Sequence, residues 1–341
     1  MKKLGPIVVS KAEDGQRLDK WLKSHFSNIS KVMIEKLCRT GQLRINSARV
    51  KPNTRVLETQ KIRVPDFIRY NDPKVHHQPA KIPIKLITEL REAIIFDDKY
   101  FIMFNKPSGM AVQGGSRLGN YHLASALSEF GLPNNPSPRL VHRLDKDTSG
   151  VIIVARTPKS AGMISHLIKE REISKVYWAL VHKFPPNAKG ILLNPTMAES
   201  SSGNNFPEVL KVNQDYKSFK LHVLGIEEKE AISAYKVLGQ FKEEVSWLEL
   251  MAITGRKHQL RKHLSCIGCP IIGDKRYGGK TKEFTLGNRA KDFKDKNDKL
   301  QLHARSIEFQ HPFTGENIKV KADPPAHMDK KLQFFDTGNF E

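Results

Sequence analysis

The sequence predicts an α+β protein, with a mixed, mostly antiparallel central sheet flanked by helices and loops and a small α/β module in front. Three observations carry this. Segments with strand-like and helix-like apolar spacing are interspersed without a repeating strand–helix–strand rhythm, which disfavours a doubly wound sheet. At 341 residues the chain is long for one domain and comfortable for two. Charge is uneven: residues 1–85 hold 19 basic and 7 acidic side chains, over half of the formal excess of +21 in a quarter of the length.

In chain order, Asp14 is placed to cap a helix whose apolar face is Leu18, Trp21, Leu22 and Phe26. Ser30 is placed to cap a second, with Met33, Ile34 and Leu37 inside and Gly41 at its end. "QLRIN", a turn near Asn46, and "TQKIRVP" follow as short strands. Residues 1–66 therefore form one expected module. Arg39, Arg44, Arg49, Lys51 and Arg55 fall on the second helix's end and the strand loops, a cluster suited to phosphates. "RYNDPKVHHQPAKIPIK" has no period, so 67–86 reads as a linker. The second domain is expected over 87–325, with a tail at 326–341. "AIIFDDKYFIMFNKPSG" predicts a hairpin around Asp97, Asp98 and Lys99. "GNYHLASALSEFG" predicts a helix closed by Gly131, and "VIIVA" a buried strand. Thr157 and Pro158 begin another helix. "KVYWALV" and "WLELMAITG" read as strands, and "RKHQLRKHL" as a helix start with Leu260 and Leu264 inward. Residues 194–218 and 280–300 carry little pattern and read as surface insertions.

The excess of cations points to a polyanionic partner, nucleic acid before an anionic membrane surface. No apolar run approaches the roughly 18 residues of a spanning helix, and the apolar run near the start is too short for a secretory signal. The expectation is a soluble chain in the cytoplasm, with an organelle left open and no membrane partner. Three cysteines do not make a disulfide framework. "HQLRKHLSCIGC" offers His258, His263, Cys266 and Cys269 to a metal. Four ligands within 12 residues of one helix and its end would be cramped. Two half-buried thiols near a helix terminus are the preferred reading, and no metal is expected.

"HRLDKDTSG" (residues 142–150) places five charged or titratable side chains just ahead of the dry strand. A phosphate cradle would need more glycines than Gly150. Ser149 with His142 lacks a strand–turn–helix elbow. A carboxylate nucleophile fits better. Asp145 follows apolar Leu144 at the mouth of the strand, and Arg143, two residues away, shares its side if the segment is extended. A neighbouring guanidinium would keep that carboxylate ionised. An Asp and Arg that merely cap a turn remain an equal alternative at this level.

"RLVHRLDKDTSGVIIVA" resembles the signature of the RluA family of pseudouridine synthases, H-R-L-D-x-x-T-S-G followed by apolar residues. "FNKPSGMAVQGG" is similar to the family's N-K-P motif, "KVYWALV" to K-x-Y-x-A, and "TGRKHQLRKHL" to G-R-x-H-Q-I/L-R-x-H. "IIGDKRYG" and "LHA" follow in order. These anchor residues 94–321, and the "VQGGS" stretch is most similar to the RluC branch, which modifies large-subunit ribosomal RNA. The first 65 residues resemble the alpha-L RNA-binding module. The resemblance implies isomerisation of uridine to pseudouridine in structured RNA, most readily the large-subunit ribosomal RNA. It implies Asp145 as nucleophile, Tyr177 as the ring beside the base and general base at C5, and Arg261 as the partner of Asp145. Arg143 is implied to fill the stack vacated by the flipped uridine. His142, Arg256 and His258 belong to the RNA-facing motifs, with Arg39, Arg44 and Lys51 gripping RNA in front. No redox step is implied, so no cofactor is expected, and a monomer suffices. The competing readings are a catalytically silent RNA-binding or ribosome-assembly factor and a zinc hydrolase.

Overall fold

The computed structural model describes residues 5–26, 29–70, 82–114, 121–133, 138–193, 208–211, 231–241, 244–278 and 299–336. The chain divides into two compact units, Met1–Ala80 and Lys81–Glu341.

In the first unit, β1 (Ile7–Val8) leads through a 3-10 turn at Lys11–Glu13 to α1 (Leu18–His25) and α2 (Lys31–Arg39). Arg17 rather than Asp14 occupies the cap position of α1. The Asp14 carboxylate is taken by the backbone N–H of Glu58, 2.8 Å away, so it ties the turn to a distant loop instead of starting the helix. Ser30 does cap α2, its hydroxyl accepting from Met33 N at 3.1 Å. Ile34, Leu37 and Cys38 face the core, whereas Met33 points outward. Gly41 takes the left-handed φ of 69° that lets the chain turn away. β2 (Arg44–Ile45), β3 (Ala48–Arg49) and β4 (Lys61–Arg63) complete a sheet of order β1-β4-β2-β3. Asn46 and Ser47 both have positive φ, as the two-residue β2–β3 hairpin requires. Contrary to the expected linker from residue 67, α3 (Asp66–Tyr70) continues this unit and seats Ile68 in its core. Residues 71–81 lie outside the described ones.

The second unit begins with α4 (Ile84–Glu92), which intrudes into the expected linker because Leu86 and Leu90 are fully buried. Its strands are β5 (Ile94–Asp97), β6 (Phe101–Lys106), β7 (Arg139–Leu140), β8 (Ser149–Ala155), β9 (Ser174–His182), β10 (Lys189–Leu193), β11 (Glu208–Lys211), β12 (Ile232–Phe241), β13 (Val245–Ala252), β14 (Leu302–Gln310) and β15 (Asn317–Lys321). They form one sheet of order β11-β10-β12-β13-β9-β14-β8-β6-β5, with β15 on β14 and β7 on β8. Every pairing is antiparallel except β14 with β8. β11 joins the edge from inside the stretch read as an insertion. Most of that stretch, and residues 280–298 of the other, lie outside the described residues.

All of β8 is buried. Ile152 and Val154 pack with Phe104 and Leu90 on one face, while Val151 and Ile153 pack with Phe101 and Phe309 on the other. This two-sided burial is why the strand reads as a continuous apolar run. Each such side chain contributes roughly 1.5–3 kcal/mol. The "HLASALSEF" helix is split into α5 (Leu123–Ala126) and a 3-10 turn to Phe130, ending at Gly131 as expected. α6 (Pro158–Lys169) starts on Thr157, whose hydroxyl accepts from Ser160 N. α7 (Gln259–Cys266) buries Leu260 and Leu264. The expected tail is instead α8 (Ala326–Asp336): Met328, Leu332 and Phe335 recur at helical spacing and pack on Leu180 and Val245.

Candidate active site

The loop ahead of β8 is held at both ends. After it, Gly150 has φ 107°, and a Cβ there would lie 2.2 Å from the Ala304 carbonyl oxygen, so only glycine permits the short parallel contact with β14. Ser149 Oγ donates to His303 Nδ1 at 2.9 Å, and His303 Nε2 donates to Ala322 O at 3.0 Å. Ser149 is thereby a strand-start hydroxyl, not a nucleophile. Beneath the loop, Lys106 is fully buried, and its ammonium donates to the carbonyls of Pro107, Met110 and Lys146 at 2.9–3.1 Å. Gly109 N also donates to Lys146 O, and Ser108 Oγ to Asp147 O. Burial pulls the Lys106 pKa down to about 7, against the opposing pull of Asp147 and Asp145. The N-K-P segment is thus a clasp on the loop that carries Asp145.

Asp145 opens on a cavity of about 370 Å³ in the second unit. Arg143, Lys175, Tyr177, Arg256, His258 and Arg261 also line it, and Asp145 is the sole carboxylate among the described lining residues. Arg261 Nη1 donates to Asp145 Oδ2 at 3.3 Å across 116 residues of sequence. His258 Nε2 lies 3.4 Å from Asp145 Oδ1, and its Nδ1 meets the Tyr277 hydroxyl at 2.9 Å. Asp274, its side chain fully buried, accepts from Arg261 Nε and Nη2, each at 2.7 Å. Burial opposes the charge of Arg261, but Asp274 and Asp145 outweigh it and raise its pKa further. Burial likewise opposes ionisation of Asp274, and Arg261 with the N–H groups of Tyr277 and Arg276 overcomes it, lowering that pKa. His258 is shifted down, chiefly by burial, although Asp145 pulls the other way.

α7 is placed by Gln259, whose Nε2 donates to Ile232 O and Ser233 Oγ on β12 at 2.8 and 2.9 Å. Its Oε1 accepts from Thr254 Oγ1 and Arg256 N. His258 sits at φ 55° just before the helix, which turns its ring toward Asp145. Tyr177 stands on β9, and burial, with Asp145 second, pushes its phenol up to about 12.

The sequence-predicted residues divide into two groups. Asp145, Tyr177, Arg261, Arg143, Arg256 and His258 meet at one cavity, with Arg143 and Arg256 exposed at its surface. His142 also borders it, but its Nε2 accepts from Ile153 N at 2.9 Å. Burial, then Lys175, drives its pKa to about 3, so it anchors the loop as a neutral ring and offers RNA no charge. In the first unit Arg39 and Lys51 are exposed. Arg44 is not a free phosphate ligand, because its Nε and Nη1 donate to the carbonyls of Gly41 and Ser47 at 3.0 and 2.9 Å. The zinc reading finds no ligand set: among the described residues no three His, Cys, Asp or Glu side chains are grouped as a metal site. His258 is turned to Asp145, and burial pushes the Cys269 thiol up to about 11. Lys106, Lys175, Asp274 and Tyr277 were not singled out by sequence reasoning. The only signals were their places in "NKP", "KVYWALV" and "IIGDKRYG".

Comparison with known proteins extends this geometry. The model of a family described as RNA pseudouridylate synthase matches residues 100–266, and an S4 domain model matches residues 16–62. The chain is 31% identical over 316 residues to the ribosomal large subunit pseudouridine synthase C of Buchnera aphidicola subsp. Baizongia pistaciae, covering 93% of this chain and 92% of that one. It is 32% identical over 321 residues to the protein of the same description from Rickettsia typhi, covering 93% and 96%. Among solved structures, human RNA pseudouridylate synthase domain containing 4 superposes with a TM-score of 0.57 at 26% identity, over 73% of this chain and 95% of that one.

Proposed function

The chain belongs to the RNA pseudouridine synthase family, and from that premise we propose that it isomerises uridines of large-subunit ribosomal RNA with Asp145 as the nucleophile. The observation that supports this most is the Asp145 carboxylate, the cavity's sole acid among the described residues, set against Arg261 and His258. The reaction breaks the C1′–N1 bond of uridine, rotates the base and forms a C1′–C5 bond. The C5 proton leaves and N1 gains one, with no net redox change. An ionised carboxylate at C1′ stabilises the electron-poor sugar carbon, as in retaining glycosidases. Arg261, donating from Nη1 at 3.3 Å, keeps it aimed.

A uridine must leave its stack to reach this cavity, at a cost of a few kcal/mol. Arg143, planar, cationic and exposed at the rim, is suited to fill the gap. Tyr177 offers a ring face to the base. With its pKa near 12 the phenol is protonated at rest, so any role at C5 passes through a phenolate formed only during the step. Lys175, Arg256 and Lys257 supply positive charge for the substrate's phosphates. The S4-matched module, with exposed Arg39 and Lys51, adds RNA affinity. No described helix is long and apolar enough to cross a membrane, and the cytoplasm, where ribosomal RNA matures in bacteria, is the proposed place of action.

Asp145→Asn tests the reading. Loss of pseudouridine from large-subunit ribosomal RNA with retained RNA binding supports it. Unchanged pseudouridine levels would leave an RNA-binding or assembly factor instead.

A further inference from the structure

Arg261 has two carboxylate partners, and the tighter one is not Asp145. Asp274 holds Nε and Nη2 at 2.7 Å each, in a bidentate fork, and leaves Nη1 to reach Asp145 at 3.3 Å. The Asp274 side chain is fully buried and the Arg261 side chain nearly so, which makes the fork's plane rigid. The same Asp274 carboxylate accepts from Arg276 N at 2.9 Å and Tyr277 N at 3.0 Å. The backbone closes over it: Gly278 N donates to Asp274 O at 2.9 Å, and a Cβ at Gly278 would lie 2.4 Å from that oxygen. This turn sets the Tyr277 hydroxyl against His258 Nδ1, whose Nε2 faces Asp145.

We propose that Asp274 is a positioning residue of this site: one buried carboxylate orients both groups that face Asp145, Arg261 by direct fork and His258 through Tyr277. It touches no substrate and acts through Arg261 and the turn. The inference rests on the proposed role of Asp145.

The experiment is single-turnover conversion of in vitro transcribed large-subunit ribosomal RNA by the full chain, with RNA affinity measured in parallel, for D274N, R261A, R261A/D274N and D145N. Asparagine keeps the size and one acceptor for the turn's N–H groups. The rate with D274N is expected to fall on the order of 100-fold, as a small misalignment of a reacting group does, with RNA affinity within about twofold of wild type. The split between rate and affinity discriminates: a group that only positions Arg261 and His258 costs rate and leaves RNA affinity in place. In the R261A background D274N is expected to change the rate by less than about twofold, because the two act as one unit. A D274N chain that keeps the wild-type rate, an affinity loss as large as the rate loss, or a full D274N loss on top of R261A, overturns the inference. Should D274N not fold, R261K serves: lysine keeps the charge but has no fork, and activity within about threefold of wild type would overturn the idea equally. An inert D145N with a wild-type-like D274N removes only this inference, whereas a fully active D145N removes the proposed function as well.

Discussion

Gly150→Ala is expected to damage both the fold and the reaction, and the geometry sets the size. The residue has φ 107°, where an L side chain costs about 1–3 kcal/mol. The new Cβ would lie 2.2 Å from Ala304 O and 2.7 Å from Ala304 C and N, all backbone atoms that no side-chain rotation can move aside. Overpacking of that kind costs a further 1–3 kcal/mol or so. It falls on a parallel junction of two residue pairs, Ser149 with His303 and Gly150 with Ala304. A total of roughly 2–6 kcal/mol against a typical 5–15 is severe. At about 2–4 °C per kcal/mol for a unit this large, the melting temperature should drop by about 10 °C. The Asp145 loop ends on this junction, so conversion of RNA should fall at temperatures where the chain is still folded. Gly162→Ala is the control. It sits exposed inside α6 with nothing within 4 Å of a new Cβ, so alanine should stabilise by about 0.4–1 kcal/mol. Calorimetry of both variants checks this. A Gly150→Ala chain that melts within about 2 °C of wild type and converts RNA at the same rate would refute the account of the junction.

Lys106 should leave a mark on stability against pH. Its pKa is 10.5 in the reference state and about 7 in the fold, so between these values the unfolded chain binds a proton that the folded chain does not. Stability from this group therefore rises with pH from about 7 toward 10.5, by up to about 1.4 kcal/mol per pH unit. Urea melts at several pH values should show this slope in wild type and lose it in Lys106→Met; parallel curves would contradict the lowered pKa. In the first unit, Arg39→Ala should weaken RNA binding and reduce the salt slope by about one with little change in melting temperature. Arg44→Ala should instead lower stability by about 1–2 kcal/mol, because two backbone carbonyls lose their donor. Filter binding and thermal melts of the pair would expose an inverted assignment.

What could be read from the chain depended on range. Helices α2 and α6, the β5–β6 hairpin and the buried strand β8 were legible because caps, turns and apolar period act between near neighbours. The α1 cap was misassigned because Asp14 is claimed by Glu58, a partner 44 residues away. The α8 "tail" was missed because a stripe of only Met328, Leu332 and Phe335 needs the opposite sheet face to show its purpose. His142 and Arg44 carried the right charge type for a nucleic-acid ligand, yet each is spent on the backbone of its own unit.

By itself the sequence determined the α+β class, the basic character, the two-part order and the short motifs that place Asp145, Tyr177 and Arg261 among related enzymes. Tertiary structure alone decided who meets whom. The approach of Arg261 to Asp145 spans 116 residues, and the β8–β14 contact that steadies the loop spans 154. Such encounters leave no periodic trace, because they are settled by sheet order and by which buried charge finds a partner. That is why Asp274, marked in the sequence only by its place in "IIGDKRYG", emerges as the group that holds the guanidinium in place.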